Sequence, residues 1–332
     1  MANNPKIAVI GGGSWATAII KMLLNNVEEL NWWLRDEDNI AHIKKYGHNR
    51  NYLPSVLLNI DKLNITNDIQ LCIADADIVV FAVPSAFLKK SLAPCAKDSL
   101  LGKVIFSAIK GIVPENNVIV GEFFHNQYGL SYEDIGVITG PCHAEEVAQE
   151  KLSYLTIACS NTENAAEMAS KLECRYIKTK VSDDIFGTEY SAVLKNIFAL
   201  ANGICHGLGY GDNFQAVLVS NGIKEIERFV NAVHPIDRDI KNSAYLGDLM
   251  VTAYSKFSRN RTFGNMIGKG HSVQSAQTEM KMIAEGYYAA KCIVELNKEH
   301  KVHMPITDAV YQILYCNASA REEMKILADH MN

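Results

Sequence analysis

Three glycines stand together at Gly11-Gly12-Gly13, followed by Ser14-Trp15-Ala16. The stretch fits the pattern GxGxxA, and its spacing suits a pyrophosphate. Gly11 permits the tight turn from strand to helix, Gly13 lets the backbone approach the phosphates, and Ala16 lets helix and strand pack closely. The anion then sits at a helix N-terminus, where N–H groups without helical partners and the helix dipole favour negative charge. A flexible glycine turn would explain the glycines alone. The apolar run before them (KIAVI), the amphipathic pattern after them and a second strand-like run favour dinucleotide binding. At the end of that second run, an acidic residue would bind the ribose 2′-OH of NAD and an arginine the 2′-phosphate of NADP. Arg35 stands there and favours NADP(H), while Asp36 beside it keeps NAD(H) open. A solvated charge at a strand end is the plain alternative for Arg35.

Further along, charged and donor-bearing residues recur at positions that suit a small anion. Lys110 follows the run KVIFSAI, where a residue at the carboxyl end of a strand projects toward the ligand edge of an open sheet. Gly140-Pro141 follows the next strand-like run, and Pro141 suits the first turn of a helix continuing through HAEEVAQE. Lys195 lies in EYSAVLKNIFALANG, where Ser191, Lys195, Ala199 and Asn202 share one helical face. That face of small residues leaves room for a ligand, although on the wheel alone a solvent-facing lysine is the simpler reading. Ser258-Arg259-Asn260-Arg261 is dense in donors that can grip a phosphate. An exposed basic loop would look the same. Asp248, ten residues before Ser258, makes sense beside an anion site only if it orients a lysine or a substrate hydroxyl.

These residues need two kinds of scaffold. Strand patterns fall at 6–10, 30–35, 75–84, 103–108, 135–139, and more weakly at 153–160 and 175–180, with helical patterns between several of them. Strands alternating with helices predict a largely parallel sheet with helices on both faces. Past about Asp184 the strand patterns stop. Helices are predicted over 189–206, 213–230, 282–300, 305–317 and 320–331. The expected fold is α/β plus all-α: a Rossmann-type doubly wound sheet over 1–187 and a helical substrate-binding domain over 188–332. A length of 332 residues suits two such domains.

Composition narrows the function. Hydrophobic residues at 48% and charged residues at 21% suit a globular enzyme rather than a disordered chain. A net charge of -5 without a dense Lys/Arg run argues against nucleic acid or an anionic membrane as partner. No apolar stretch is long enough for a membrane span and the start does not read as a signal peptide. With eight scattered cysteines and no CxxC pair, the expected setting is the reducing cytoplasm. No metal is expected, because the ten histidines show neither HxxxH nor clustered ligand spacing.

Taken together, VIGGGSWATA (9–18), IKGI (109–112), TGPCHAEEVA (139–148), AVLKNIFALANGICHGLGYGDN (192–213), LGDLMVTAYSKFSRNRTFG (246–264), AEG (284–286) and MPITDAVYQILY (304–315) resemble bacterial-type NAD(P)-dependent glycerol-3-phosphate dehydrogenase. The resemblance spans almost the whole chain. It implies a nucleotide-binding domain followed by a helical domain, with the active site between them. It also implies interconversion of sn-glycerol 3-phosphate and dihydroxyacetone phosphate in support of phospholipid synthesis, and a homodimer. By position, Gly11, Gly13, Ser14, Trp15, Arg35, Lys110, Ala144, Arg259, Ile283 and Glu285 match cofactor contacts. Lys195 matches the catalytic lysine. Lys110, Gly140, Cys142, Lys195, Asp248, Ser258, Arg259 and Asn260 match substrate-binding positions.

The chain departs from the family at three places. Cys142 and His143 replace a hydroxyl residue and an aromatic, so the substrate contact at Cys142 would come from a weak thiol donor. Asn221 stands where an arginine is common. In the implied mechanism Lys195 exchanges the proton of the substrate oxygen. A free lysine, with a pKa near ~10.4, is too basic for this at neutral pH, so burial and a neighbouring cation such as Lys110 would have to lower it. Two other readings remain at this point: a sister dehydrogenase for a different hydroxy acid, which would not need SRNR, and a dinucleotide sensor, which would not need Lys195, Asp248 and Arg259 together.

Overall fold

The computed structural model describes residues 4–280 and 284–331. Among the described residues ten strands form: β1 (Ile7–Ile10), β2 (Leu30–Trp33), β3 (Leu63–Thr66), β4 (Ile78–Phe81), β5 (Val104–Ser107), β6 (Ile112–Val113), β7 (Val118–Ile119), β8 (Ile135–Thr139), β9 (Ser153–Cys159) and β10 (Ile177–Ser182). Eight of them make one sheet in the order β10-β9-β8-β5-β4-β1-β2-β3, and β6 pairs with β7 in a separate hairpin. β1, β4, β5 and β8 are buried along nearly their whole length, as apolar runs in a parallel sheet covered on both faces must be. The one antiparallel neighbour pair in the large sheet is β8–β9, and an antiparallel step can be joined by the short 140–152 connection. β3 has no counterpart among the predicted strands, because its LNIT sequence buries only Ile65.

The sheet reverses its winding at β1, which pairs in parallel with β2 on one side and β4 on the other. A doubly wound sheet opens its ligand crevice at such a switch point, at the carboxyl ends of the strands. The carboxyl end of β1 runs directly into the glycine loop.

The chain divides into two compact units: Met1–Ile109 with Val120–Ile185, and Lys110–Ile119 with Phe186–Asn332. A single cut near residue 187 would leave Lys110–Ile119 with the sheet. Instead Ile112 and Ile119, from the β6–β7 hairpin, pack into the helical core. At the centre of that core runs the helix Ile185–Gly207. Tyr190, Val193, Leu194, Ile197, Phe198, Leu200, Ile204 and Cys205 bury most of its surface, as a helix in a core must, and one face carries Ser191, Lys195 and Asn202. Among the described residues, no helix is long and apolar enough to cross a membrane.

The helix Arg259–Gly268 crosses this central helix in backbone contact. A Cβ on Gly264 would stand 2.0 Å from the Leu200 carbonyl oxygen, and one on Gly203 would stand 2.1 Å from the Arg261 carbonyl oxygen. Glycine is required on both sides of the crossing. The contact sets Ser258, Arg259 and Asn260 against the helix that carries Lys195. Gly264→Ala is therefore expected to force the helices apart and lower stability by roughly 3 kcal/mol, measured by urea denaturation. Wild-type stability in that variant would show that the crossing is loose.

Candidate active site

Lys195 lies near the middle of the central helix and is 4% exposed. The solvent-facing reading of this lysine is thereby overturned, and Ser191, Ala199 and Asn202 on its face are buried too. Its Nζ donates to Asp248 Oδ1 at 2.5 Å. Lys110 Nζ donates to the other oxygen, Oδ2, at 3.1 Å. One buried carboxylate thus holds two ammonium groups. Asp248 opens the helix Asp248–Tyr254, immediately after a wide π-turn at Ser243–Gly247. Such insertions recur at functional sites because they re-aim the next side chain. Thr252 fixes the turn by donating its hydroxyl to the Asp248 carbonyl at 2.6 Å.

The charges interact as this geometry requires. Burial lowers the Lys195 ammonium, Asp248 opposes it and Lys110 adds to it, and together they bring it from 10.5 to about 7. Burial alone would raise the Asp248 carboxyl, but the two lysines outweigh it and hold it below the ordinary carboxylate range. Lys195 is therefore poised to give and take a proton near neutrality, while Asp248 stays ionised.

A chain of amides ties the neighbouring segments to this cluster. Asn196 donates to the Lys110 carbonyl at 2.6 Å and accepts from Asn260 Nδ2 at 2.8 Å. Asn260 Oδ1 in turn accepts from the Gly286 N–H at 2.9 Å. Asn196 was not among the residues singled out from the sequence; its position beside Lys195 in LKN was the only signal. Asn260, expected to grip phosphate, gives its carbonyl and one amide N–H to this chain. Ser258 caps the helix Arg259–Gly268, accepting from Arg261 N at 3.2 Å. Arg259 is exposed at the N-terminus of that helix, and Glu285 opens the helix Glu285–His300. Ile283 lies outside the described residues. Asn221 donates to the Val217 carbonyl within its own helix at 2.9 Å.

The remaining predicted residues belong to the sheet unit. Gly11 has φ +145°, and a Cβ there would stand 2.5 Å from the Ala82 carbonyl oxygen, so only glycine makes this turn. Ala16, fully buried, sits 3.3 Å from the same point. Around Gly13, by contrast, a Cβ would meet nothing within 4 Å, which leaves space for a ligand. The helix Ser14–Leu23 starts at Gly13 without a side-chain cap. The three glycine carbonyls turn inward: Gly11 O accepts from Trp32 Nε1 at 2.7 Å, Gly12 O from Asn49 Nδ2 at 3.1 Å, and Gly13 O from Thr17 Oγ1 at 3.0 Å. An anion at the loop would meet N–H groups rather than carbonyl oxygens, so these residues fit a dinucleotide pyrophosphate.

Arg35 is exposed two residues past β2, at the same sheet edge. Asp36 uses its carboxylate to cap the helix Glu37–Tyr46, accepting from Asn39 N. Gly140, with φ +115°, follows β8, and Cys142 and Ala144 are buried beyond it. Pro141 does not open a helix. The helix Ala144–Ala148 starts three residues later, with His143 at its N-cap, and extends only five residues.

A Rossmann-type sheet whose glycine loop turns its carbonyls inward, and a helical unit with a buried lysine of lowered pKa, fit the class of nicotinamide-dependent oxidoreductases. The chain belongs to the NAD-dependent glycerol-3-phosphate dehydrogenase family: the family's N-terminal profile matches residues 6–165 and its C-terminal profile residues 184–325. A glycerol-3-phosphate dehydrogenase (NAD(P)+) of Syntrophomonas wolfei is 35% identical over 96% of this chain and 93% of its own. The Bacillus subtilis protein of the same name is 33% identical over 93% of this chain and 90% of its own. The crystal structure of glycerol-3-phosphate dehydrogenase (gpsA) from Coxiella burnetii superimposes with a TM-score of 0.90 at 27% identity, covering 98% of each chain.

The shared carboxylate makes a measurable demand on stability. Asp248→Asn leaves two cations facing each other in a buried pocket, at an expected cost of roughly 3–5 kcal/mol in urea denaturation. The deficit should widen as pH falls below neutrality, where wild-type Lys195 holds its proton against Asp248. A small deficit that ignores pH would mean that the lysines do not depend on this anion.

Proposed function

We propose that this protein interconverts sn-glycerol 3-phosphate and dihydroxyacetone phosphate with NADP(H) or NAD(H), supplying glycerol phosphate for phospholipid synthesis. The buried Lys195–Asp248–Lys110 cluster carries the reading, together with full-length membership of the family. A cytoplasmic homodimer, implied by the family resemblance, belongs to the same proposal.

The glycine loop and the N-terminus of Ser14–Leu23 would hold the pyrophosphate, and exposed Arg35 is placed for a ribose 2′-phosphate. With Asp36 engaged as a helix cap, the balance favours NADP(H). When bound, the nicotinamide supplies the hydride that the ketone carbon accepts. Lys195 then gives its Nζ proton to the substrate oxygen, and takes it back from the alcohol in the oxidative direction. Lys110 lowers the Lys195 pKa, and its own ammonium can bind the same oxygen. Asp248 keeps both Nζ atoms oriented. Arg259, with the Ser258 hydroxyl and the remaining Asn260 N–H, would grip the phosphate at the far end of the substrate and so position its reacting carbon.

Lys195→Met should retain NADPH binding and lose roughly 10²–10⁴-fold in turnover. In the wild type, reduction needs the charged ammonium and oxidation the neutral amine. The kcat/KM for reduction should therefore fall, and that for oxidation rise, as pH passes through the lowered Lys195 pKa near neutrality. Near-normal turnover in the methionine variant would remove Lys195 from this role. Arg259→Ala should raise the KM for dihydroxyacetone phosphate roughly 10–100-fold with the thermal transition unchanged. Unaltered kinetics would place the phosphate elsewhere.

A further inference from the structure

Asn49 is fully buried, yet it lies outside every motif that points to the cofactor. Its Nδ2 donates to Gly12 O at 3.1 Å and to Thr17 Oγ1 at 2.9 Å. Its Oδ1 accepts from Asn39 Nδ2 at 3.0 Å, from Asn51 N at 3.1 Å and from Tyr52 N at 3.2 Å. Both ends of one amide are thus saturated. One end faces the glycine loop, and the other is anchored in the helix Glu37–Tyr46 and the segment that follows it.

We propose that Asn49 is a positioning residue for the dinucleotide: it pulls the middle carbonyl of the glycine loop inward, beside a Gly13 carbonyl already held by Thr17 N and Oγ1, so that the loop presents only donors to the pyrophosphate. The proposal rests on the reading of this loop as the cofactor site. Thr17 cannot do the work alone. Its hydroxyl has one proton, which goes to Gly13 O, so it must accept the bond from Asn49. Trp32 serves Gly11 O and reaches no further along the loop. Without the Asn49 amide, Gly12 O has no inward donor, and a loop free to turn that carbonyl outward sets a partial negative charge against the phosphates.

Asn49→Asp isolates this function. The carboxylate keeps the shape and can still accept from Asn39, Asn51 and Tyr52, but it has no proton for Gly12 O or Thr17 Oγ1. Thr17→Val is the companion variant, and Thr17→Ser is its conservative control. Titration of protein-bound NADPH fluorescence gives the cofactor Kd directly. Steady-state kinetics give KM for NADPH, KM for dihydroxyacetone phosphate and kcat separately.

Asn49→Asp should weaken NADPH at least about tenfold in Kd and in KM, Thr17→Val less because the Thr17 N–H still holds Gly13 O, and Thr17→Ser should stay close to wild type. The KM for dihydroxyacetone phosphate should stay within about twofold, and kcat should fall far less than KM for NADPH rises. A lowered thermal transition with an unchanged NADPH Kd in the folded protein would make Asn49 a structural residue only and overturn the proposal. Failure of the wild type itself to bind NADPH would instead overturn the reading of the loop.

Discussion

The helical unit is organised around one buried carboxylate. Asp248 holds Lys195 at 2.5 Å and Lys110 at 3.1 Å, and it is the group that favours the charged form of buried Lys195. Burial and the neighbouring cation press Lys195 toward losing its proton, and Asp248 alone resists. A lysine balanced in this way exchanges protons near neutral pH, which a solvated lysine does not. The rest of the unit keeps the balance in place. The π-turn at Ser243–Gly247 aims Asp248, the Asn196–Asn260 amides tie down the Lys110 backbone, and the glycine-lined crossing sets Arg259–Gly268 against the central helix.

The sheet unit solves the opposite electrostatic problem, the reception of a polyanion. Its answer lies in the backbone more than in charged side chains. The three glycines make a turn that no other residue could follow at Gly11, and every carbonyl of that turn has an inward donor, drawn from β2, from the helix itself and from the 48–52 segment. The open space at Gly13 and the uncapped helix start suit an anion together: the glycine leaves room, and a helix terminus favours negative charge.

Much of this was legible in the sequence, for local reasons. β1, β8 and the helix after the glycine loop follow directly from apolar periodicity and from the GxGxxA spacing. β3 escaped notice because an edge strand with one buried residue has no strong period, and β6–β7 because two-residue strands have none. The helices over 248–279 were missed for a related reason. Their buried faces are made of Gly264, Asn260, Thr252 and Asp248 as well as apolar residues, so the site they build hides the hydrophobic stripe that would reveal them. The short helix near Pro141 shows the reverse error: a favourable N1 residue does not start a helix here, where the chain bends at Gly140–Pro141 and the helix begins only after an extended His143.

The sequence by itself determined which residues could act. GxGxxA is a local motif whose function depends on neighbours one to five positions away, so its chemistry can be read in one dimension. The resemblance carried by SRNR, LKN and LGDL likewise named candidate side chains, of which Lys195, Asp248 and Lys110 meet in the structure. Only the tertiary structure decided what state they are in. Lys195 reads as a surface lysine on its own helix, and its pKa falls because folding buries it and brings it to Asp248, 53 residues away, and to Lys110, 138 residues from that aspartate. Asn49 likewise looks like any loop asparagine until folding places it behind Gly12. Burial and through-space charge set protonation and hydrogen bonding, and neither quantity is defined until the chain has folded.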